Sequence, residues 1–222
     1  MKPELKKRII TSLCLVALLL LMHFYIFVLI ISLIIISIIS WIEFYGIISK
    51  IFFKKNLKAK FLKFIYKSLS LFYLSFLVAL ILYFITKTTD FKLIIIYSLL
   101  ISIASDIGGL VVGKTLKGKK LTKISPKKTI SGSIGSFIFS LMLIPFFIDH
   151  LLIKTVSTLI FITFLISLTS QIGDLLISYL KRKAKVKNTS NLLPGHGGFL
   201  DRIDGIMFSI PVGLFLFKFF VN

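Results

Sequence analysis

Acidic residues are scarce in this chain: eight Asp and Glu stand against 28 Lys and Arg, giving a formal net charge of +20. Cysteine is scarcer still. The single Cys14 lies inside an apolar run and has no intrachain partner, so no disulfide framework organises the fold. Polar surface is short as well. With 57% hydrophobic residues over 222 positions, the sequence lacks the coat a water-soluble domain of this length needs. Its apolar runs also lack the alternation that a membrane barrel requires. No small-x-small cleavage pattern follows the basic start and the first apolar stretch, so that stretch is expected to be retained as a span.

What is present is a series of long Ile, Leu and Phe runs. Roughly 20 helical residues cross a ~30 Å hydrocarbon layer, and helices satisfy their own backbone groups there. Seven apolar segments can be drawn, at 9–22, 24–42, 69–85, 91–112, 133–148, 156–180 and 203–221. The expected fold is therefore all-α, a polytopic integral membrane helical bundle of about seven transmembrane segments. The first two segments are short and almost contiguous, which fits a tight hairpin or one bent, partly re-entrant unit.

The basic residues fall in the gaps between these runs. With the N-terminus in the cytoplasm, segments 1–8, 50–67, 114–128 and 181–202 face inward and hold 24 of the 28 Lys and Arg. That asymmetry obeys the positive-inside rule and accounts for the charge without nucleic acid as a partner. Asp90 and Asp149 then fall in outer turns and Glu4 in the tail. Glu43 sits beside Trp41 and Tyr45 at the inner interface, where an anchoring role and a functional one are both open. Asp106, Asp174, Asp201 and Asp204 all map to the inner ends of spans or to the inner loops between them, and intramembrane acids are expensive unless paired or functional.

In a continuous sixth helix, Asp174, Ser178 and Lys181 fall at i, i+4 and i+7 on one face, with Gln171 a turn earlier. A salt-bridged helix end and a reactive site both fit those residues. The basic run from Lys181 through Arg182 to Lys187 reads most simply as a headgroup-facing loop. It leads into Leu193-Pro194-Gly195-His196-Gly197-Gly198-Phe199-Leu200-Asp201-Arg202-Ile203-Asp204. Glycines around a histidine let backbone N–H groups approach an anion. Asp201 and Asp204, three apart, offer the hard oxygens that Mg²⁺ takes along with substrate phosphates, and Arg202 between them can fork onto a phosphate. Upstream, Asp106 precedes Gly108, Gly109 and Gly113, whose spacing also suits close helix packing. The loop through Ser125, Pro126, Lys127, Lys128 and Thr129 either holds a phosphate or merely connects spans.

Ser178-x-x-Lys181-Arg182, Lys187, and the Leu-Pro-Gly-His-Gly-Gly-x-Leu-Asp-Arg-x-Asp string resemble the signature of phosphatidate cytidylyltransferases (CDP-diacylglycerol synthases). Asp106, Ser125-Pro126-x-Lys128-Thr129 and Gly173-Asp174-Leu175 match the same family in the same order. Two positions depart from its pattern: Asn188 stands where the family usually has Asp, and Ile177 where it tends to have an acid. The resemblance implies cytidylyl transfer from CTP to phosphatidic acid, giving CDP-diacylglycerol and pyrophosphate. It implies Mg²⁺, with room for a second ion, on Asp174, Asp201 and Asp204. Asp174, Asp201, Lys181 and Arg202 would act in catalysis. Asp106, Ser125, Lys128, Thr129, Ser178, Arg182, Lys187, His196, Gly197, Gly198 and Asp204 would bind substrates. Residues 1–68 would then form an N-terminal membrane hairpin and basic cytoplasmic loop, and 69–222 the catalytic transmembrane domain. The expected setting is the inner (plasma) membrane, with the active site facing the cytoplasm and membrane lipid as neighbour. A homodimer through the small residues Ser131, Gly132 and Gly135 is a further expectation. A non-catalytic scaffold, or a nucleotidyltransferase for another phosphorylated lipid, are the alternatives.

Overall fold

A hydrocarbon layer offers backbone amides no water to pair with, and the chain meets that constraint with helices. The computed structural model describes residues 3–53, 56–87, 89–122, 125, 128–151, 153 and 155–221. Its helices are α1 (Pro3–Phe24), α2 (Ile26–Ile51), α3 (Leu57–Lys87), α4 (Thr89–Leu116), α5 (Ile130–Leu141), α6 (Ile144–Phe147), α7 (Val156–Lys183), α8 (Leu200–Ile203) and α9 (Ile206–Val221). Pro126 and Lys127 of the expected loop lie outside the described residues. So does Lys154, on the expected outer side.

Among the described residues, six stretches are long and apolar enough to cross a membrane: Ile26–Ile51, Leu57–Lys87, Asp90–Leu116, Ile130–Phe147, Val156–Lys183 and Leu200–Phe220. The 22-residue α1 supplies the remaining expected apolar segment, outside that set of six. The protein is a multi-pass, all-α membrane protein. Its burial pattern agrees, since Phe27, Phe72 and Phe219 stand exposed while Ser40, Ser98, Ser102, Ser167 and Ser209 are buried.

The chain divides into two compact units, Met1–Ala79 with Leu180–Ile203, and Leu80–Tyr179 with Asp204–Asn222. The segment 180–203 thus groups with the N-terminal helices rather than with the spans on either side of it.

In the first unit, only Tyr25, in an extended conformation, separates α1 from α2. A straight helix from Thr11 to Glu43 would run about 48 Å. Yet Thr11 reaches the Pro194 carbonyl (3.1 Å) and Glu43 reaches the Phe199 amide (2.9 Å), and five residues of chain span at most about 18 Å. The two helices must fold back on each other, so the hairpin is the form adopted. α3 begins at Leu57, well before the expected apolar start at 69. Lys58, Lys60, Lys63 and Lys67 alternate with Phe61, Leu62, Phe64 and Ile65, all residues a helix accepts. Trp41 Nε1 donates to the Lys67 carbonyl (3.2 Å), tying α2 to α3.

The second unit is held by close backbone approach. A Cβ on Gly135 would meet Val112 Cβ and the Gly108 carbonyl, and one on Gly132 would meet the Gly109 carbonyl. Hydroxyls bridge the helices above this contact: Ser102 with Ser209 (2.6 Å), Tyr97 with Thr163 (2.6 Å) and Ser140 with Ser167 (3.0 Å). Lipid gives apolar side chains no reason to leave it, so small residues and interhelical hydrogen bonds carry the association. The face expected to pair two copies of the chain is the face that seats α5 on α4. Gly132 and Gly135 are buried there within one chain. The expected span at 133–148 breaks between α5 and α6, where Pro145 has no N–H to continue the ladder.

Gly135→Leu should lower the thermal unfolding midpoint of the detergent-solubilised protein by several degrees, an overpacking cost of roughly 1–3 kcal/mol. Gly46→Ala, with nothing within 4 Å of the added methyl, should leave the midpoint unchanged or raised. Equal behaviour of the two variants would remove the α4–α5 contact as a determinant of stability.

Candidate active site

The geometry starts where α7 stops. Lys185 adopts a left-handed φ of 56°, while Val186 N–H donates to the Lys181 carbonyl and Lys185 N–H to that of Arg182, both at 3.0 Å. This Schellman closure turns the chain sharply and sends 187–199 back across the helix end. Pro194 and Gly195 then fill the central positions of a type II turn. His196 N–H donates to the Leu193 carbonyl (2.9 Å), and Gly195 supplies the required positive φ of 78°.

The remaining glycines answer to crowding. At Gly198 a Cβ would collide with Thr189 Oγ1 and the Glu43 carboxylate, and at Gly197 it would press on Asp201 and Asn188. The amides they free point at the protein's own acids rather than outward. Glu43 is 5% exposed and accepts four hydrogen bonds: Ser190 Oγ (2.6 Å), Thr189 Oγ1 (2.7 Å), and the N–H groups of Leu200 (2.8 Å) and Phe199 (2.9 Å). Glu43 is therefore not an interfacial anchor but the post on which the loop hangs. Nothing at its own position in the sequence indicates the partners, which lie about 150 residues away.

Asp201 is the second post. Its Oδ1 accepts from Lys181 Nζ (2.7 Å), and its Oδ2 accepts Thr189 N–H (2.8 Å), Thr189 Oγ1 (3.0 Å) and Gly198 N–H (3.0 Å). Arg202 donates to the His196 carbonyl (2.8 Å) while remaining exposed, and Arg182 and Lys187 are exposed. Burial, then the Arg202 and Arg8 charges, lower the His196 pKa below the usual imidazole value, against a raising contribution from the Pro194 backbone.

In the second unit Asp174 forms an ion pair with Lys128 and accepts the Ser178 hydroxyl (3.2 Å). The predicted stripe on α7 thus exists for Asp174 and Ser178. Lys128 comes from the loop before α5, where Thr129 caps the helix by accepting Gly132 N–H (3.0 Å). Ser125 N–H donates to Thr122 Oγ1 (3.2 Å), and Ser125 accepts Lys128 N–H at its carbonyl (3.0 Å). Gln171 accepts from Ser133 (2.5 Å). Asp106 lies exposed on α4, beside the buried Ser105. Asp204 is buried, accepting Gly205 N–H (3.0 Å). It stands in the turn between α8 and α9, so the helical face expected to carry Asp201 and Asp204 together does not form. Ile177 is 1% exposed and packs as an apolar core residue.

The sequence profile described as the Cytidylyltransferase family matches residues 2–220, nearly the whole chain. The chain belongs to that family. Similar proteins include the phosphatidate cytidylyltransferase of Rickettsia bellii (strain RML369-C), 42% identical over 119 residues that cover 50% of this chain and 52% of that protein. The protein of that name from Bacillus subtilis (strain 168) is 40% identical over 129 residues, 57% of this chain and 48% of the relative. The one from Staphylococcus haemolyticus (strain JCSC1435) is 38% identical over 135 residues, 59% and 51% respectively. The chain spans about half the length of these curated relatives.

Mg²⁺ can be tested against this chain's own donors. Within neither unit do three described His, Cys, Asp or Glu side chains gather into a ready-made cage. Asp174 nevertheless suits a hard cation: Oδ1 carries only the long Ser178 bond, and the side chain is 22% exposed. Asp201 keeps one less crowded oxygen, Oδ1, now facing Lys181. Each carboxylate is already neutralised by a lysine, so the residues fit a cation that displaces or supplements an ammonium.

Replacing Glu43 with Ala orphans the Phe199 and Leu200 amides and the Ser190 hydroxyl and leaves Thr189 Oγ1 with Asp201 alone, at about 1–3 kcal/mol for each buried donor left unpaired. Hydrogen exchange at Phe199 and Leu200 should then quicken by about a hundredfold or more, while the amides of α4 and α5 keep their protection. Unchanged exchange at those two amides would mean that the loop does not hang on Glu43.

Proposed function

We propose that this cytidylyltransferase family member transfers the cytidylyl group of CTP to phosphatidic acid at the cytoplasmic face of the inner membrane. A phosphatidate phosphate oxygen attacks the α-phosphorus of CTP, the new P–O bond forms, and the bond to the β-phosphate breaks to release pyrophosphate. Such a reaction asks the protein for positioning and charge neutralisation more than covalent chemistry. The observation that carries this reading is the Lys181–Asp201 pair, buried under a loop that also presents the exposed Lys187 and Arg202. Together they offer fixed carboxylate oxygens and free cations in one segment.

Lys181 and Arg202 neutralise phosphate oxygens in this account, with Lys187 and Arg182 attracting the polyanion and Lys128 acting from the Asp174 pair. Asp174 and Asp201 are the proposed Mg²⁺ ligands, and Asp204 supports the turn that follows α8. Mg²⁺, when bound, would offset charge on the triphosphate and the departing pyrophosphate. Phosphatidate would stay in the lipid with its headgroup at the level of these residues, which explains an enzyme for a soluble nucleotide being embedded in a membrane.

Purified protein incubated with labelled CTP, phosphatidate and Mg²⁺ should move label into the lipid phase, and a chelator should stop it. Absence of lipid label from folded, CTP-binding protein would refute the assignment. The two carboxylates can be separated by variants. Asp174→Asn breaks a half-exposed pair worth under about 1 kcal/mol, so it should stay folded while losing roughly a hundredfold in kcat. Asp201→Asn strands a buried lysine at a cost of about 3–5 kcal/mol, so it should lose stability along with turnover. A fully active Asp174→Asn protein would remove Asp174 from the chemistry.

A further inference from the structure

The first turns of α1 carry Lys6, Lys7 and Arg8, which belong to none of the matched motifs. They do not simply extend toward solvent or headgroups. Thr11 Oγ1 donates to the Pro194 carbonyl (3.1 Å), and Ser12 Oγ lies 3.4 Å from His196 Nε2. These contacts dock α1 onto the glycine turn one helical turn past the basic pair. Between them lies a cavity of about 660 Å³ whose lining includes Lys7, Arg8, Lys187, Asn188, His196 and Arg202, and no carboxylate.

Four cations therefore converge on one concave space. Neither the Lys128–Asp174 nor the Lys181–Asp201 ion pair involves any of the four, and among the described residues none of them has an acidic partner. Like charges crowded into a cleft repel one another and concentrate a field that draws in anions. Beside these cations the lining carries the Asn188 side chain, whose amide can donate to an oxyanion. Arg8 and Arg202 both line the cavity together with His196.

We propose that this cavity is a phosphate-binding site in which Lys7 and Arg8 of the N-terminal helix join Lys187 and Arg202 in gripping a phosphoryl-bearing substrate. The helix completes a pocket that the motif residues only half enclose. The proposal rests on the function above for which phosphate arrives, the triphosphate of the nucleotide or the headgroup of the lipid, and not for the existence of the site.

The test uses the full chain in phosphatidylcholine nanodiscs and reads binding, not turnover. Tripolyphosphate affinity is measured by calorimetry, and phosphatidate retention by native mass spectrometry. Wild type is compared with the double variant Lys7→Gln/Arg8→Gln and with Lys6→Gln, a change of charge outside the cavity lining. Loss of two charge-assisted contacts should weaken one probe by about tenfold or more, with Lys6→Gln near wild type and Lys7→Arg/Arg8→Lys restoring most of the loss. Weakened tripolyphosphate assigns the site to the nucleotide tail, and weakened phosphatidate assigns it to the lipid. Both probes unchanged in the double variant, or equally weakened by Lys6→Gln, overturns the proposal. If wild type transfers no cytidylyl group yet the double variant still loses a probe, the pocket stands and the reaction assignment falls.

Discussion

One buried carboxylate organises the N-terminal unit. Glu43 sits on a membrane helix with no cation paired to it among the described residues, and it is tolerable there because four donors surround it. Two are backbone amides that the start of α8 leaves unsatisfied, and two are hydroxyls of Thr189 and Ser190. Each partner answers a need of the other: the carboxylate requires donors to be buried, and the amides require acceptors to be covered. Asp201 takes the next amide in line, that of Gly198. The glycines of the loop are then explained by what lies over them rather than by a ligand.

The same logic of mutual satisfaction appears, in other chemistry, in the second unit. There the close approach of α4 and α5 through Gly108, Gly132 and Gly135 brings backbones together, and a set of serines bridges them. Within each unit a Lys–Asp pair stands at the part of the chain that the family motifs mark: Lys181 with Asp201, and Lys128 with Asp174. Each lysine neutralises the carboxylate it pairs with.

Much of this was legible in the sequence. Apolar runs of span length gave away the all-α class, because the bilayer permits few other solutions, though seven segments were expected and six stretches qualify among the described residues. The motif string identified the family. Other features were hidden for physical reasons. The early start of α3 at Leu57 was masked because lysines in a helix look like loop residues to a hydropathy argument. The small residues at 131–135 read as a surface for a second copy, but periodicity cannot say which helix a face will meet. Glu43 and the Lys7–Arg8 pair were invisible as parts of a site because their partners are remote in the chain, joined only through the fold-back at Tyr25.

That fold-back bears on the order of assembly. The contacts that complete the loop join Thr11 to Pro194 and Glu43 to Leu200, separations of 183 and 157 residues. Chains are made from the N-terminus, so α1 and α2 enter the bilayer long before their partner segment exists. Until then Glu43 lacks all four of its donors, an exposed acid in a greasy helix. Closure of the 189–200 loop is thus the step that ends this liability, so a chain interrupted before residue 189 carries an uncovered carboxylate on α2.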